Sequence, residues 1–148
     1  MRMVCKRSLF VFALIVLVCS IATQAGNWPR FRGPNGQGIS DEADFPAEWS
    51  EQDRAWNAEL KGKGHSSPVV WDDRVFVTLA YPETTEVALQ AIQISDGRIL
   101  WSKQYTLKSL KMNRLNSFAA STPAVDADHV YAVWYDSRQA RRSRFPGA

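Results

Sequence analysis

Few side chains in this chain have the type and spacing that chemistry needs. The carboxylates and imidazoles that could ligate a cation lie at these positions: Asp72, Asp73, Asp126, Asp128, His65 and His129. Each aspartate pair falls in a predicted hairpin turn, where carboxylates commonly stabilise the turn itself. Neither histidine has a partner at metal-ligand spacing. The sequence therefore predicts no metal site.

Catalytic nucleophiles are equally scarce. Ser66 and Ser67 precede Pro68 without the Gly-x-Ser-x-Gly pattern that exposes a nucleophilic serine, so we interpret them as residues that lead into a strand. Both cysteines, Cys5 and Cys19, lie within the first 25 residues. A chain without that segment contains no disulfide, thiolate metal site or cysteine nucleophile. We predict no catalytic residue, and the cofactor-binding residues are unknown from sequence.

Residues 1–25 have the pattern of a secretory signal peptide. Three basic residues precede an unbroken run of ten apolar residues at positions 9–18. That run is half of the about 20 residues that a membrane-spanning helix needs. Small residues permit cleavage after Ala25 or after Ala22. We predict an exported protein, periplasmic, cell-surface or secreted, with an uncleaved anchor and lipidation of Cys19 as open alternatives.

Loss of that segment changes the charge balance. The whole chain has 18 Lys and Arg against 15 Asp and Glu. Three of the basic residues lie in the segment, so 15 remain against 15. Four arginines fall within the last eleven residues, at Arg138, Arg141, Arg142 and Arg144. Because the rest of the chain is mildly acidic, the charge predicts no nucleic-acid partner.

Short strand-like segments recur from residue 61 onward at intervals of about ten residues. Alternating β-branched and aromatic residues predict strands at 67–71, 75–79, 86–94 and 98–105. Between the last two, Asp96-Gly97 is a hairpin signal, since these residues tolerate the positive φ of tight turns. These intervals are typical of an antiparallel meander.

The flanking segments have weaker patterns. We predict an N-terminal arm anchored by Trp28 and Phe31, a helical turn within residues 41–50 and a short strand at 53–60. Residues 106–116 favour a connection with a short helix. After Tyr135 the sequence is rich in arginine and gives no strand alternation.

The chain contains an internal repeat with an offset of 55 residues. Residues 67–76 align without a gap to residues 122–131. A hydroxyl residue with proline, a valine, an aspartate, a second valine and an aromatic residue match in that order. Each copy begins a strand-turn-strand unit. Repeats of this size, made of short strands, are typical of solenoids and β-propellers.

These segments resemble the PQQ-like (quinoprotein alcohol dehydrogenase-like) β-propeller repeat family, in its secreted form. Residues 27–36 resemble the Asn-Trp-Pro-x-Phe-Arg-Gly-Pro-x-Gly opening of that family, and 64–77 resemble its Gly-x-Ser-Ser-Pro-Val-Val strand with the Asp-Arg-Val-Phe-Val continuation. Residues 91–101 resemble the tryptophan-docking motif, and 116–133 the start of a next blade. The resemblance implies a structural docking motif, with these members: Ala91, Asp96, Gly97 and Trp101.

The predicted fold class is all-β, with antiparallel four-stranded blades of an incomplete β-propeller, one to two blades after an N-terminal signal helix. The predicted divisions are a signal peptide at 1–25, an arm with a first strand at 26–60, partial PQQ-like repeats at 61–135 and a basic tail outside the family pattern at 136–148. Propellers have about four to eight blades. The chain is therefore expected to be a fragment.

Three functions follow from the resemblance. The favoured one is an exported binding or scaffolding module without its own chemistry, with a protein partner on the propeller surface and oligomeric state unknown. The second is the N-terminal piece of a PQQ-dependent dehydrogenase-like oxidoreductase, for which PQQ and calcium are cofactors by family resemblance only. The third is a truncated or frameshifted product without independent function. Fold resemblance alone does not decide among them.

Overall fold

The protein is described by a computed structural model that covers residues 26–42, 46–108, 117–136 and 139–146. The strands in these ranges are β1 (Val69–Trp71), β2 (Arg74–Tyr81), β3 (Glu86–Gln93), β4 (Ile99–Thr106), β5 (Ala124–Val125), β6 (His129–Asp136) and β7 (Gln139–Pro146). One 3₁₀ turn, Glu51–Asp53, is the helical element of the described part. The predicted all-β class is confirmed, while the predicted signal helix and the 109–116 connection lie outside the described residues.

The strands form two open antiparallel sheets. The first has the order β1-β2-β3-β4 and the second β5-β6-β7. Val69 pairs with Phe76 in the first sheet, and Ala124 pairs with Tyr131 in the second. These two pairs differ by the 55 residues of the sequence repeat, so the repeat is confirmed as one hairpin register used twice. The arrangement agrees with the predicted blades of a propeller that is not closed.

The two sheets pack face to face around one hydrophobic core. Because residues that pair across strands share a face, the first sheet has a core face with these buried residues: Val69, Phe76, Ala80, Val87, Leu89 and Ala91. The core face of the second sheet presents Val125, Val130, Ala132, Trp134 and Phe145. All belong to the same cluster. Tyr105 completes it, with its ring centroid 5.7 Å from both Trp134 and Phe145.

The N-terminal arm joins the two sheets through Trp28-Pro29, here called the bridging dipeptide. The Trp28 amide donates to the Val70 carbonyl at 2.9 Å, and the Val70 amide donates back at 2.9 Å. The Val125 amide donates to the Pro29 carbonyl at 2.8 Å. Trp28 is thus an anchor as predicted. Phe31 is not, because its side chain is 57% exposed.

The predicted strand at 53–60 is wrong. Residues 54–60 have no strand pairing; a side chain, and not a backbone ladder, attaches this segment to the first sheet. Trp56 donates its Nε1 hydrogen to the Ile94 carbonyl at 2.6 Å. The helical turn lies just after the predicted range, at Glu51–Asp53, where the Ser50 amide and hydroxyl both donate to the Asp53 carboxylate.

The prediction of a tail without strand alternation is wrong for residues 139–146. This segment is β7, which pairs with β6 from His129–Pro146 to Asp136–Gln139. Phe145 lies on the core face and is 5% exposed. The neighbouring Arg142 and Arg144 are exposed. A period of two is therefore present, and arginine with its long apolar stem is compatible with it.

Within the described ranges, the structure contains no helix of the length and apolarity that crossing a membrane requires. Cleavage after Ala22 or Ala25 and lipidation of Cys19 concern residues outside these ranges.

Gly97 gives a test of how the arm docks on the first sheet. Its φ is +72°, and a Cβ there would lie 2.5 Å from Cε3 of Trp56. Gly97→Ala therefore combines left-handed backbone strain with overpacking, and we expect a loss of about 2–5 kcal/mol in unfolding free energy. Urea denaturation of the purified chain measures it.

The matched control is Gly36→Ala. Gly36 has a φ of +73°, yet nothing lies within 4 Å of its Cβ position. We expect the backbone cost alone, about 1–2 kcal/mol. Equal losses in the two variants would contradict the close approach of Trp56 to Gly97.

Candidate functional site

Among the residues that the structure describes, a group of chemistry-bearing side chains lies at the turn between β5 and β6. We call it the turn cluster, and its members are Asp126, Asp128, His129, Tyr131 and Arg144. Potential ligand atoms of Asp126, Asp128 and His129 all lie within 4.8 Å of one another. The sequence prediction that His129 has no partner is therefore wrong, because the short turn folds His129 back onto Asp126. The expected absence of a metal site remains a prediction.

Asp126 organises this cluster by accepting three hydrogen bonds. Its Oδ1 accepts the backbone amides of Asp128 at 2.9 Å and His129 at 2.8 Å, and its Oδ2 accepts the Tyr131 hydroxyl at 2.9 Å. The Asp128 amide, followed by the Tyr131 hydroxyl, lowers the pKa of Asp126. The hydrogen bond to Asp126 is the main reason that the pKa of Tyr131 is raised. This carboxylate stabilises the turn in its charged form.

Arg144 occupies the other side of the cluster. Its Nη2 lies 3.2 Å from Nδ1 of His129, and its guanidinium carbon lies 5.9 Å from the centroid of the Tyr131 ring. A guanidinium can only donate, so Nδ1 of His129 accepts. The oxygens of Asp126 and the Nδ1 of His129 thus already serve protein donors, beside a fixed positive charge. The geometry favours a cap of the turn over a cation centre.

The equivalent turn of the first repeat has a similar structural role. Asp72 has a φ of +50°. Its amide donates to Oδ1 of Asn27 at 2.7 Å. The Asp73 Oδ2 accepts Nε2 of Gln93 at 3.1 Å, and its Oδ1 lies 3.4 Å from Nε of Arg74. The interpretation of Asp72 and Asp73 as turn residues is consistent with these contacts.

The four residues of the docking motif lie together at the β3–β4 hairpin. Ala91 pairs with Trp101 across the strands. Asp96 Oδ1 accepts the Arg98 amide at 2.9 Å, and the Gly97 amide donates to the Gln93 carbonyl at 2.9 Å. The tryptophan ring that lies against Gly97 is that of Trp56. The ring of Trp101 packs against Phe76, with 6.0 Å between the ring centroids. Sequence reasoning missed Trp56, since no local pattern links it to a turn about forty residues later.

His65, Ser66 and Ser67 lie in a hydrogen-bonded seam that joins the two repeats. The amides of His65 and Ser66 donate to the Ala119 carbonyl at 3.1 and 3.0 Å. The Ser67 amide donates to Oγ1 of Thr122, its counterpart 55 residues later, at 3.0 Å. Thr78 donates to Oγ of Ser66 at 2.8 Å. These contacts support the interpretation of both serines as residues that lead into β1.

A second candidate is the outer surface of the second sheet, which we call the open face. It carries Tyr131, Val133 and Tyr135 of β6, which are 36%, 40% and 67% exposed. Arg144 pairs with Tyr131 and Arg142 with Val133, so both arginines lie on this face. Tyrosine and arginine are the residue types that protein interfaces favour. The sequence pattern does not identify this surface, because the arginines of β7 hide its strand alternation.

The repeat relates the open face to a buried surface. Tyr131 and Val133 are the counterparts, 55 residues on, of Phe76 and Thr78. Phe76 and Thr78 lie on the core face of the first sheet, which the second sheet covers. The same face is thus covered in one repeat and exposed in the next.

No family model, no curated protein and no solved structure matches the chain. The resemblance to PQQ-like repeats therefore stays a prediction from the sequence.

The pKa of Asp126 gives a pH test of the turn cluster. A lowered pKa in the folded state means that the Asp126 contribution to stability is present above its ordinary value of 3.8 and is lost as the pH falls through the folded value. We expect Asp126→Asn to be less stable than the parent chain at pH 7, with a difference that shrinks between pH 5 and pH 2. Urea unfolding across that range measures it.

Asp128→Asn is the matched control, because the Asp128 carboxylate accepts no hydrogen bond among the described residues. It should follow the pH dependence of the parent chain. A pH dependence of Asp126→Asn indistinguishable from that of the parent would contradict the role of this carboxylate.

Proposed function

We propose that the chain is an exported repeat protein of the β-propeller type that acts as a binding or scaffolding module for a protein partner. Export is inferred from the signal-peptide pattern of residues 1–25. The membership of the PQQ-like repeat class is inferred from the ordered motifs between residues 27 and 133. The partner binds on the open face of the second sheet.

The observation that carries this proposal is that equivalent faces of the two repeats differ in burial. The core face of the first sheet is buried because the second sheet lies on it. The open face of the second sheet is the equivalent face of the second repeat. Its aromatic and aliphatic side chains are exposed. A β-sheet face with exposed apolar residues gains free energy by burial, at about 25 cal/mol per Å² of apolar area. A binding partner supplies that cover.

The side chains of the open face indicate the chemistry of the partner. Tyr135 offers a large, rigid ring, and Tyr131 is already oriented by Asp126. Arg142 has no ion pair among the described residues, so it is available for a carboxylate of the partner. The partner surface is therefore apolar at its centre with acidic residues beside Arg142.

The polar groups of the described residues favour binding over catalysis. The turn cluster and the Ser66–Thr78 seam each use their donors and acceptors within the protein. A general base or nucleophile needs such atoms directed at a substrate. Their use within turns and seams leaves the open face as the principal functional surface.

A double variant that removes an exposed ring and reverses one charge tests the proposal. Tyr135→Ser combined with Arg142→Glu removes the most exposed ring of the open face and reverses the charge at position 142. The exported chain is crosslinked to envelope proteins, the crosslinked partner is purified, and its dissociation constant is measured by titration. We expect the double variant to weaken binding tenfold or more, as loss of interface hot spots does.

The matched control is Phe31→Ser combined with Lys103→Glu. It makes the same two chemical changes at exposed positions on the arm and on β4. It should bind the partner as tightly as the parent chain. Equal weakening by both double variants would contradict the open face as the binding surface, and dye reduction by the chain with PQQ and calcium would contradict a module without chemistry.

A further inference from the structure

The backbone nitrogen of Gly26 lies against a carboxylate. The Gly26 amide donates to Oε1 of Glu42 at 3.1 Å, and a Cβ built on Gly26 would lie 3.0 Å from the same oxygen. Both residues line a cavity of about 250 Å³, to which Trp28, Pro34 and Asp41 also contribute. Two acidic residues, Asp41 and Glu42, therefore line the space next to this nitrogen.

The three residues that follow Gly26 each form a hydrogen bond to another part of the protein. Oδ1 of Asn27 accepts the Asp72 amide at 2.7 Å. Trp28 and Pro29 form the bridging dipeptide between β1 and β5. Residues 27–29, which directly follow Gly26, thus each contact the sheets or their turns.

The sequence before Gly26 ends in a cleavage pattern. Thr23 and Ala25 are the small pair that a signal peptidase accepts, and Ala22 offers an alternative site. Cleavage after Ala25 places the new α-amino group on Gly26. Cleavage after Ala22 places it on Thr23, three residues before Gly26 in the sequence.

We propose that processing after Ala25 creates a terminal ammonium on Gly26 that forms an ion pair with Glu42 and holds the start of the arm against residues 41–42. In this step water adds across the Ala25–Gly26 amide bond and the C–N bond breaks. A carboxylate remains on Ala25, and the released amine of Gly26 takes up a proton. The amide that donated one hydrogen bond becomes a cation with three donors, beside the two carboxylates of Asp41 and Glu42.

The ion pair lies at the end of the segment that joins both sheets. A charge-assisted hydrogen bond is roughly twice as strong as a neutral one. The bridging dipeptide begins two residues later, so the ion pair restrains the chain directly before it. Maturation of the chain therefore stabilises the start of the arm. This inference rests on export, which is part of the proposed function, and not on the identity of the partner.

The cleavage site is tested by N-terminal sequencing and intact mass of the chain exported from a secreting host. The expected sequence is Gly-Asn-Trp-Pro, starting at Gly26. A start at Thr23 would overturn the inference while leaving export intact. A retained leader would overturn the inference and the export part of the proposed function together, while partner binding by the open face is measured separately.

The ion pair is tested in the same processed chain by Glu42→Gln, which keeps an acceptor oxygen and removes the charge. At pH 7 we expect the melting temperature to fall by about 1–4 °C, as for an exposed ion pair. Asp41→Asn is the control, since Asp41 lines the same cavity without bonding Gly26. It should lower the melting temperature by less than Glu42→Gln.

The effect of Glu42→Gln should disappear at pH 10, because a free α-amino group has a pKa of about 7.7–8.0 and is neutral there. A difference that persists unchanged at pH 10 would show that Glu42 acts without the terminal charge. That result, or an unaltered melting temperature at pH 7, would overturn the ion pair.

Discussion

The fold depends on three backbone hydrogen bonds made by the bridging dipeptide. Two join Trp28 to Val70 of β1, and one joins Pro29 to Val125 of β5. Each bond contributes only about 0.5–1.5 kcal/mol, yet together they fix the separation and register of the two repeats. The strands they join are short, of three and two residues. Without this insertion, the edges of β1 and β5 would leave backbone groups without these partners.

Apolar packing between the two sheets adds to the stability that these hydrogen bonds provide. Once β1 and β5 are held, the core faces of the sheets enclose Phe76, Tyr105 and Trp134 in a single cluster. Burial of each large apolar side chain contributes about 1.5–3 kcal/mol. On its other side, the first sheet meets the segment that follows the arm, where Gly62 approaches Leu79 so closely that a Cβ would lie 2.9 Å from the Cβ of Leu79. The first sheet is therefore covered on both sides, whereas the second has one open face.

Local patterns predicted the local structure well. Asp96-Gly97 predicted the β3–β4 hairpin, and the 55-residue repeat predicted that two hairpins share one register. Both predictions succeed because turn geometry and side-chain alternation are set by neighbouring residues. The failures involve distant partners. Residues 54–60 have strand-like composition but are held by Trp56, whose acceptor is at Ile94. β7 was missed because its charge concealed a period of two, and the contact between Arg144 and His129 in the turn cluster depends on that missed strand.

The position of the bridging dipeptide has a consequence for the order of folding. The hairpins β2–β3 and β3–β4 close over a few residues, and hairpins of this kind form in microseconds. Residue 29, in contrast, pairs with residue 125, and closing so long a loop costs chain entropy before any contact is gained. In a chain that emerges from a ribosome or a translocon, Trp28 and Pro29 come out early and find their last partner late. Until then the core face of the first sheet lacks the second sheet that covers it, and the interval before β5 arrives is the period of greatest exposure to mispairing.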